Sequence, residues 1–384
     1  MAIQALSAAD FKNTEGSDVV TLNKCSVITG AADNWVTISP GAQTWWDVCW
    51  SPELRLFVAV TADAVADQVA TSPDGVTWTP RTTPAANAWY GVCWSPELHL
   101  FVAVAASGSG NRVMTSSNGT SWNIQTSAAN YNWYSVCWSP ALHLFVAVNG
   151  SDVADGVMTS PDGTAWTLRT LSVARTWESV CWSPELRLFV AVGRTGTGNR
   201  VVTSLDGVSW TPQTSVADEN WSSVCWSPER RLFVAVASTG ATNRVMTSPD
   251  GAAWTARAVP LDSWYSVCWA PEIRLFVAVA YSGSLGRVMI SPDGITWAAR
   301  QAATARDWYA LCWAPELRML CAVGGAGVGT HGMASTVDKL SMGVAAIGSI
   351  ATVVSAVRPA AANQNIQGWL RLNVNGTDRF VPYW

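Results

Sequence analysis

Charge is scarce in this chain. Asp, Glu, Lys and Arg make up 13% of its 384 residues, about half the share usual in globular proteins. With 27 acidic and 23 basic side chains the net charge is −4. A protein that coats nucleic acid, or is held to a membrane by charge, needs more positive charge than this. Histidine is scarcer still, at three residues. No Ser/His/Asp set and no Gly-Lys phosphate loop is present, so an enzyme is not expected. Long apolar runs are missing too. The longest, residues 342–357, falls short of the roughly 20 apolar residues that span a bilayer. It reads as a packed linker or short helix, and no membrane insertion is expected. Residues 1–32 show no basic start followed by an apolar run, so no secretory leader is expected.

Apolar residues are plentiful, at 49% of the chain including 24 Trp. That is enough to build a core and excludes bulk disorder. The Trp are periodic. Cys49, Cys93, Cys137, Cys181, Cys225, Cys268 and Cys312 each precede a Trp and lie 43 or 44 residues apart. Seven copies at this period predict a repeat architecture. One unit divides into strands over Tyr90–Trp94, Leu98–Ala105, Arg112–Ser116 and Thr120–Thr126. A Ser-Pro turn, a Gly/Ser loop and an Asn-Gly turn separate them. Four short strands per unit predict a four-stranded antiparallel propeller blade. The fold class is therefore all-β, a seven-bladed propeller over residues 33–336. The seventh unit lacks its fourth strand. Asp33-Asn34-Trp35-Val36-Thr37 carries that pattern ahead of the first unit, so an N-terminal strand is expected to complete the last blade and remove an open edge.

The turn Ser72-Pro73-Asp74-Gly75, ending at Trp78, recurs at Ser160, Ser248 and Ser291, with looser copies at Ser204 and Ser116. It resembles the Asp-box of the bacterial neuraminidase repeat family. That resemblance implies Asp and Ser bonded to the turn and a Trp packed between blades. It implies fold rather than sialidase activity.

Outside the ring, residues 1–32 read as an N-terminal arm and 337–384 as a linker and hairpin. Asn375-Gly376 between two β-prone segments signals the hairpin turn. The ending GWLRLNVNGTDRFVPYW is similar to short C-terminal tails of bacteriophage tail and fibre proteins. An isolated hairpin is marginal in water. It is expected to dock on a neighbour, on another copy, or on its own propeller.

The repeat positions also supply the candidate site. Seven Cys per ring cannot pair completely, and bridging needs closer Cα atoms than diverging blades offer. They read as small buried residues, which suits a reducing compartment. No metal or other cofactor is expected. Glu53, Glu97, Glu185, Glu229, Glu272 and Glu316 share the Ser-Pro turn and read as solvated residues pairing with the Arg two positions on. Four residues before each Cys lies a Trp: Trp45, Trp89, Trp133, Trp177, Trp221, Trp264 and Trp308. These fit either blade packing or ligand binding. The next position varies: Trp46, Tyr90, Tyr134, Glu178, Ser222, Tyr265 and Tyr309. Variation among copies is where a partner could be read. Arg112, Arg200, Arg244 and Arg287 sit on the loop before the third strand and complete the candidate ligand residues.

The expected protein is a non-enzymatic phage virion component, of tail, fibre or capsid surface, assembled in the host cytoplasm. It would bind a host glycan or surface protein through its loop face, and other virion proteins through arm and hairpin. A homo-oligomer is among the expected assemblies; nucleic acid is not an expected partner. A purely structural scaffold and a neuraminidase-type glycosidase are the alternatives.

Overall fold

A computed structural model describes residue 32 and residues 34–240, 243–284, 286–325 and 331–336. It also describes the backbone of strands 368–374 and 377–383. The expected arm and linker lie outside these residues, apart from Ala32. Two compact units divide the chain, Met1–Ser341 and Met342–Trp384. In the second, Gly368–Val374 pairs antiparallel with Thr377–Tyr383, which is the expected hairpin extension.

The first unit is a seven-bladed β-propeller. Its described residues form seven four-stranded antiparallel sheets and no helix. Blade 1 comprises Trp45–Ser51, Leu56–Thr61, Val69–Ser72 and Thr79–Arg81, from the axis outward. The first strands of blades 2 to 7 are Trp89–Ser95, Trp133–Ser139, Trp177–Ser183, Trp221–Ser227, Ser263–Ala270 and Asp307–Ala314. In the seventh blade the outermost strand is Val36–Ile38, with Val36 opposite Ala334 and Ile38 opposite Gly332. The ends of the ring thus close on each other as expected, and the last blade presents no unpaired inner ladder.

The fourth strands are shorter than predicted. In blade 2 only Asn123–Gln125 pairs, because the turn holds the chain through Ser121. Ser116 Oγ accepts the Gly119 N–H, and Asn118 Oδ1 accepts those of Thr120 and Ser121. Trp122 Nε1 donates back to the Gly119 carbonyl oxygen. The same bonds recur with Asp at the turns ending in Trp78, Trp166, Trp210, Trp254 and Trp297. Gly163 shows why the turn needs glycine. Its φ is 76°, and a Cβ would lie 3.0 Å from Leu100 Cδ2 of the preceding blade.

The core lies in the seams. Each of seven apolar clusters joins one blade to the next. Trp45, Trp89, Trp133, Trp177, Trp221, Trp264 and Trp308 are fully buried in them, alongside Phe57 and its equivalents. Truncating a side chain of this size in a packed core costs about 3–5 kcal/mol.

A second seam device corrects the reading of the turn glutamates as local partners of Arg. Trp50 Nε1 donates to Glu316 Oε2 at 2.7 Å, Trp94 to Glu53 at 2.7 Å, and Trp138 to Glu97 at 2.6 Å. Trp226, Trp269 and Trp313 bond Glu185, Glu229 and Glu272 in the same way. Each glutamate therefore reaches the following blade. The Arg two positions on is held with φ near +50°, as at Arg55 and Arg187.

Candidate functional site at the axial mouth

One irregularity is common to all seven first strands. Trp45 pairs with Thr61 and Asp47 with Val60, so Trp46 is an extra residue in the ladder. The same bulge recurs between Trp89 and Gly91, Trp133 and Ser135, and onward to Trp308 and Ala310. A bulge frees one residue from pairing and re-aims its side chain. Here the freed residue is the variable position in every blade.

Bulging turns these seven side chains toward the axis at one end of the ring. Trp46, Tyr90, Tyr134, Glu178, Ser222, Tyr265 and Tyr309 all line a cavity of ≈ 270 Å³. Its deeper wall is the position two after the buried Trp: Asp47, Ser135, Ser179, Ser223, Ser266 and Ala310. A second recess of ≈ 320 Å³ shares Trp46, Arg194, Tyr265 and Tyr309, and adds Asn220, Ser238, Thr239 and Tyr281. The variable residues are thus brought together, whereas the seven Trp beside them are not available. With no exposed surface, Trp89, Trp133, Trp177, Trp221, Trp264 and Trp308 cannot offer a face to a ligand. That expectation is corrected: because the bulge takes up one residue, Trp89 falls on the face of Val92 and Trp94 and packs in their seam.

The arginines expected to bind ligand also serve the loops. Arg112 donates to the carbonyl oxygens of Gly108, Ala106 and Tyr131 at 2.9, 3.0 and 2.7 Å. Arg200 donates to Gly196 and Glu219 carbonyls, and Arg244 to Gly240 and Leu261 carbonyls. Arg287 pairs with Asp307 at 3.0 Å. Each ties its own loop to the start of the next blade, and none lines the mouth.

Aromatic rings stack around the mouth. Trp46 lies 4.4 Å from Tyr309 and 4.6 Å from Tyr90, and Tyr90 lies 4.9 Å from Tyr134, centroid to centroid. Tyr265 meets Tyr309 edge-on at 5.3 Å. Burial pushes the phenols of Tyr90, Tyr134, Tyr265 and Tyr309 upward, so they are neutral hydroxyl donors and acceptors near neutral pH.

Sequence reasoning missed two charged groups of the mouth, Asp47 and Arg194; Arg194 is the cation. It follows the second strand of blade 4, where blades 1, 2, 3 and 5 place Ala62, Ala106, Gly150 and Ser238 and blade 6 places Tyr281. The departure of Arg194 and Tyr281 from the small residues of the other blades was the available signal. Arg194 Nε lies 3.1 Å from Glu178 Oε1, and Nη2 donates to Glu178 Oε2 at 3.2 Å. Nη2 also approaches the Tyr265 hydroxyl at 3.5 Å. The Arg194 side chain is 36% exposed and that of Glu178 5%. Burial pushes the Glu178 carboxyl up to about 7, with Arg194 pulling the other way. Burial likewise pushes Asp47 up to about 7, against the Val92 and Val48 N–H groups that bond it.

Ser hydroxyls repeat the Asp47 bond between blades. Ser135 accepts from Val180 N–H, Ser179 from Val224, Ser223 from Val267 and Ser266 from Leu311, at 3.2–3.4 Å. Below them the repeat cysteines are unbridged and part-buried, each packed against a seam core. Burial raises their thiols, Cys268 to about 12, so they are protonated and unreactive at neutral pH. No cluster of His, Cys, Asp or Glu among the described residues is arranged to hold a metal ion.

No protein-family model matches this chain, and no curated protein matches it. Solved structures do. Virginiamycin B lyase from Staphylococcus aureus aligns over 79% of this chain and 99% of its own, at 8% identity and a TM-score of 0.64. The β-propeller domain of Cps50 (Swd1) from Myceliophteria thermophila aligns over 79% and 98%, at 13% identity and a TM-score of 0.59. A catalytically inactive form of the lyase with quinupristin aligns at 6% identity and a TM-score of 0.62. At these identities the likeness shows the propeller fold alone.

Proposed function

We propose that this propeller is a non-enzymatic recognition module that holds a host-surface glycan in its axial mouth, as part of a phage virion. The observation that carries the proposal is the convergence of the seven variable residues on one cavity, while the Trp before each of them repeats in every blade. Phenol and indole faces with hydroxyl, amide and guanidinium groups at their edges suit sugar rings, which present apolar faces and polar rims. Arg194 and Glu178 neutralise each other, which favours a neutral or zwitterionic ligand over a polyanion. The virion setting rests on the likeness of the C-terminal ending to phage tail proteins and on the unbridged thiols.

Recognition is favoured over glycoside hydrolysis because the mouth holds one guanidinium, Arg194, where a neuraminidase site needs an arginine cluster. A fluorogenic sialoside should give no turnover. The scaffold alternative draws on the 4.4 Å stacking of Trp46 on Tyr309, which satisfies ring faces internally. A glycan array with the purified chain separates the readings. Binding to a defined set of glycans, lowered at least tenfold by Tyr90→Ala with Tyr134→Ala, supports recognition. An array without binders, and unchanged phage adsorption by the same variant, supports the scaffold.

A further inference from the structure

Six of the seven seams carry the indole-to-glutamate bond, and the seventh does not. Between blades 3 and 4 the glutamate position is Ala141, in Ser139-Pro140-Ala141. Trp182 Nε1, equivalent to the six donors, is buried and has no hydrogen-bond partner. Trp182 itself is part-exposed, as is the clasped Trp94 in the same position. The turn that follows it carries the exposed Arg187, and the turn that lacks the glutamate carries the exposed His143. This seam therefore has a directed donor that lacks the acceptor its six equivalents have.

We infer that the seam between blades 3 and 4 is a carboxylate-binding notch, occupied by an acidic side chain of a partner polypeptide. The other six seams define the chemistry. In each, the ligand of the indole N–H is a carboxylate oxygen 2.6–2.7 Å away where a distance describes it. Charge-assisted bonds of this kind are about twice as strong as neutral ones. An unpaired buried donor favours any acceptor that can reach it. The notch also has a consequence for assembly. A ring of near-identical blades offers a partner seven equivalent orientations, and one vacant acceptor position selects a single one.

The test follows indole N–H resonances of the full chain in which Trp is labelled with nitrogen-15. Sodium acetate is titrated against sodium chloride at matched ionic strength and pH 7.5. One resonance, identified by its loss in Trp182→Phe, should move downfield saturably with acetate and not with chloride. N-acetyl-aspartate amide should move it as well, and the neutral N-acetyl-asparagine amide at least fivefold less. In Ala141→Glu the same resonance should start near the six clasped indoles and respond at least fivefold less to acetate. An acetate response that is absent, or equal in Ala141→Glu, overturns the notch. A response to acetate with equal effects of the two amides overturns the acidic side chain as occupant.

Discussion

Trp50 Nε1 donates to Glu316 Oε2 across the seam where the last blade meets the first, spanning 266 residues of sequence. The bond is one of six equivalents, and together with the Val36–Ile38 strand it closes the ring from both ends of the chain. Closure thus rests on repeated seam chemistry as well as on strand exchange.

Ala141→Glu should strengthen the one seam that lacks this bond. Supplying an acceptor to the buried Trp182 indole is worth about 1 kcal/mol after the cost of ordering the side chain. In a domain this large that is a rise of about 2 °C in Tm. Glu97→Ala should lower stability by about the same amount, because Trp138 then loses its acceptor. Chemical denaturation of both variants checks the pair.

Asp162→Ala should destabilise blade 3 by about 1–3 kcal/mol, since two backbone N–H groups and the Ser160 hydroxyl lose their acceptor. Asp162→Asn should cost less than half as much. Blade 2 supplies the internal control, because Asn118 Oδ1 makes the same bonds to Thr120 and Ser121 at 2.9 Å. Urea midpoints of the two variants should rank accordingly.

Acid should destabilise the ring through these turns. Desolvation raises the Asp162 carboxyl, but the N–H bonds from Ala165 and Thr164 outweigh it and hold the group down to about 2. Asp74, Asp206, Asp250 and Asp293 are lowered for the same reasons. A carboxylate lowered in the folded state stabilises fully above its unfolded value near 4 and stops doing so as pH falls through its folded value. Stability should therefore drop between about pH 4 and pH 2, and in Asp162→Asn the drop should be shallower.

The mouth carboxyls work in the opposite direction. Asp47 and Glu178 are raised to about 7, so between about pH 4 and 7 the folded state binds more protons than the unfolded chain. Stability should fall as pH rises through that window. Asp47→Ser installs the residue that blades 3 to 6 use at this position. Because Asp47 is part-exposed, its gain at pH 8 should be on the order of 1 kcal/mol, vanishing at pH 4. Thermal melts at the two pH values check the sign.

How much of this was legible in the sequence depended on whether a feature repeats. Blade number, strand order and closure by Val36–Ile38 followed from the Cys-Trp period and the displaced Trp35 pattern. The outer strands were read too long, because the Ser116 and Asn118 side chains hold their turn to Ser121 and leave only Asn123–Gln125 to pair. The glutamates were misread because their partner indole is about 41 residues away, where no local spacing rule reaches. The buried Trp row and its variable neighbours were adjacent in sequence. Only the bulge, invisible in residue type, separates Trp89 in the seam from Tyr90 in the mouth.

The most direct test of the account is one variant measured twice. Trp46, Tyr90, Tyr134, Tyr265 and Tyr309 are all replaced by Ser, the residue blade 5 already carries at this position as Ser222. The account predicts that glycan binding disappears while the cooperative unfolding transition of the propeller persists. Retained binding in a folded variant, or loss of the folded ring itself, contradicts it.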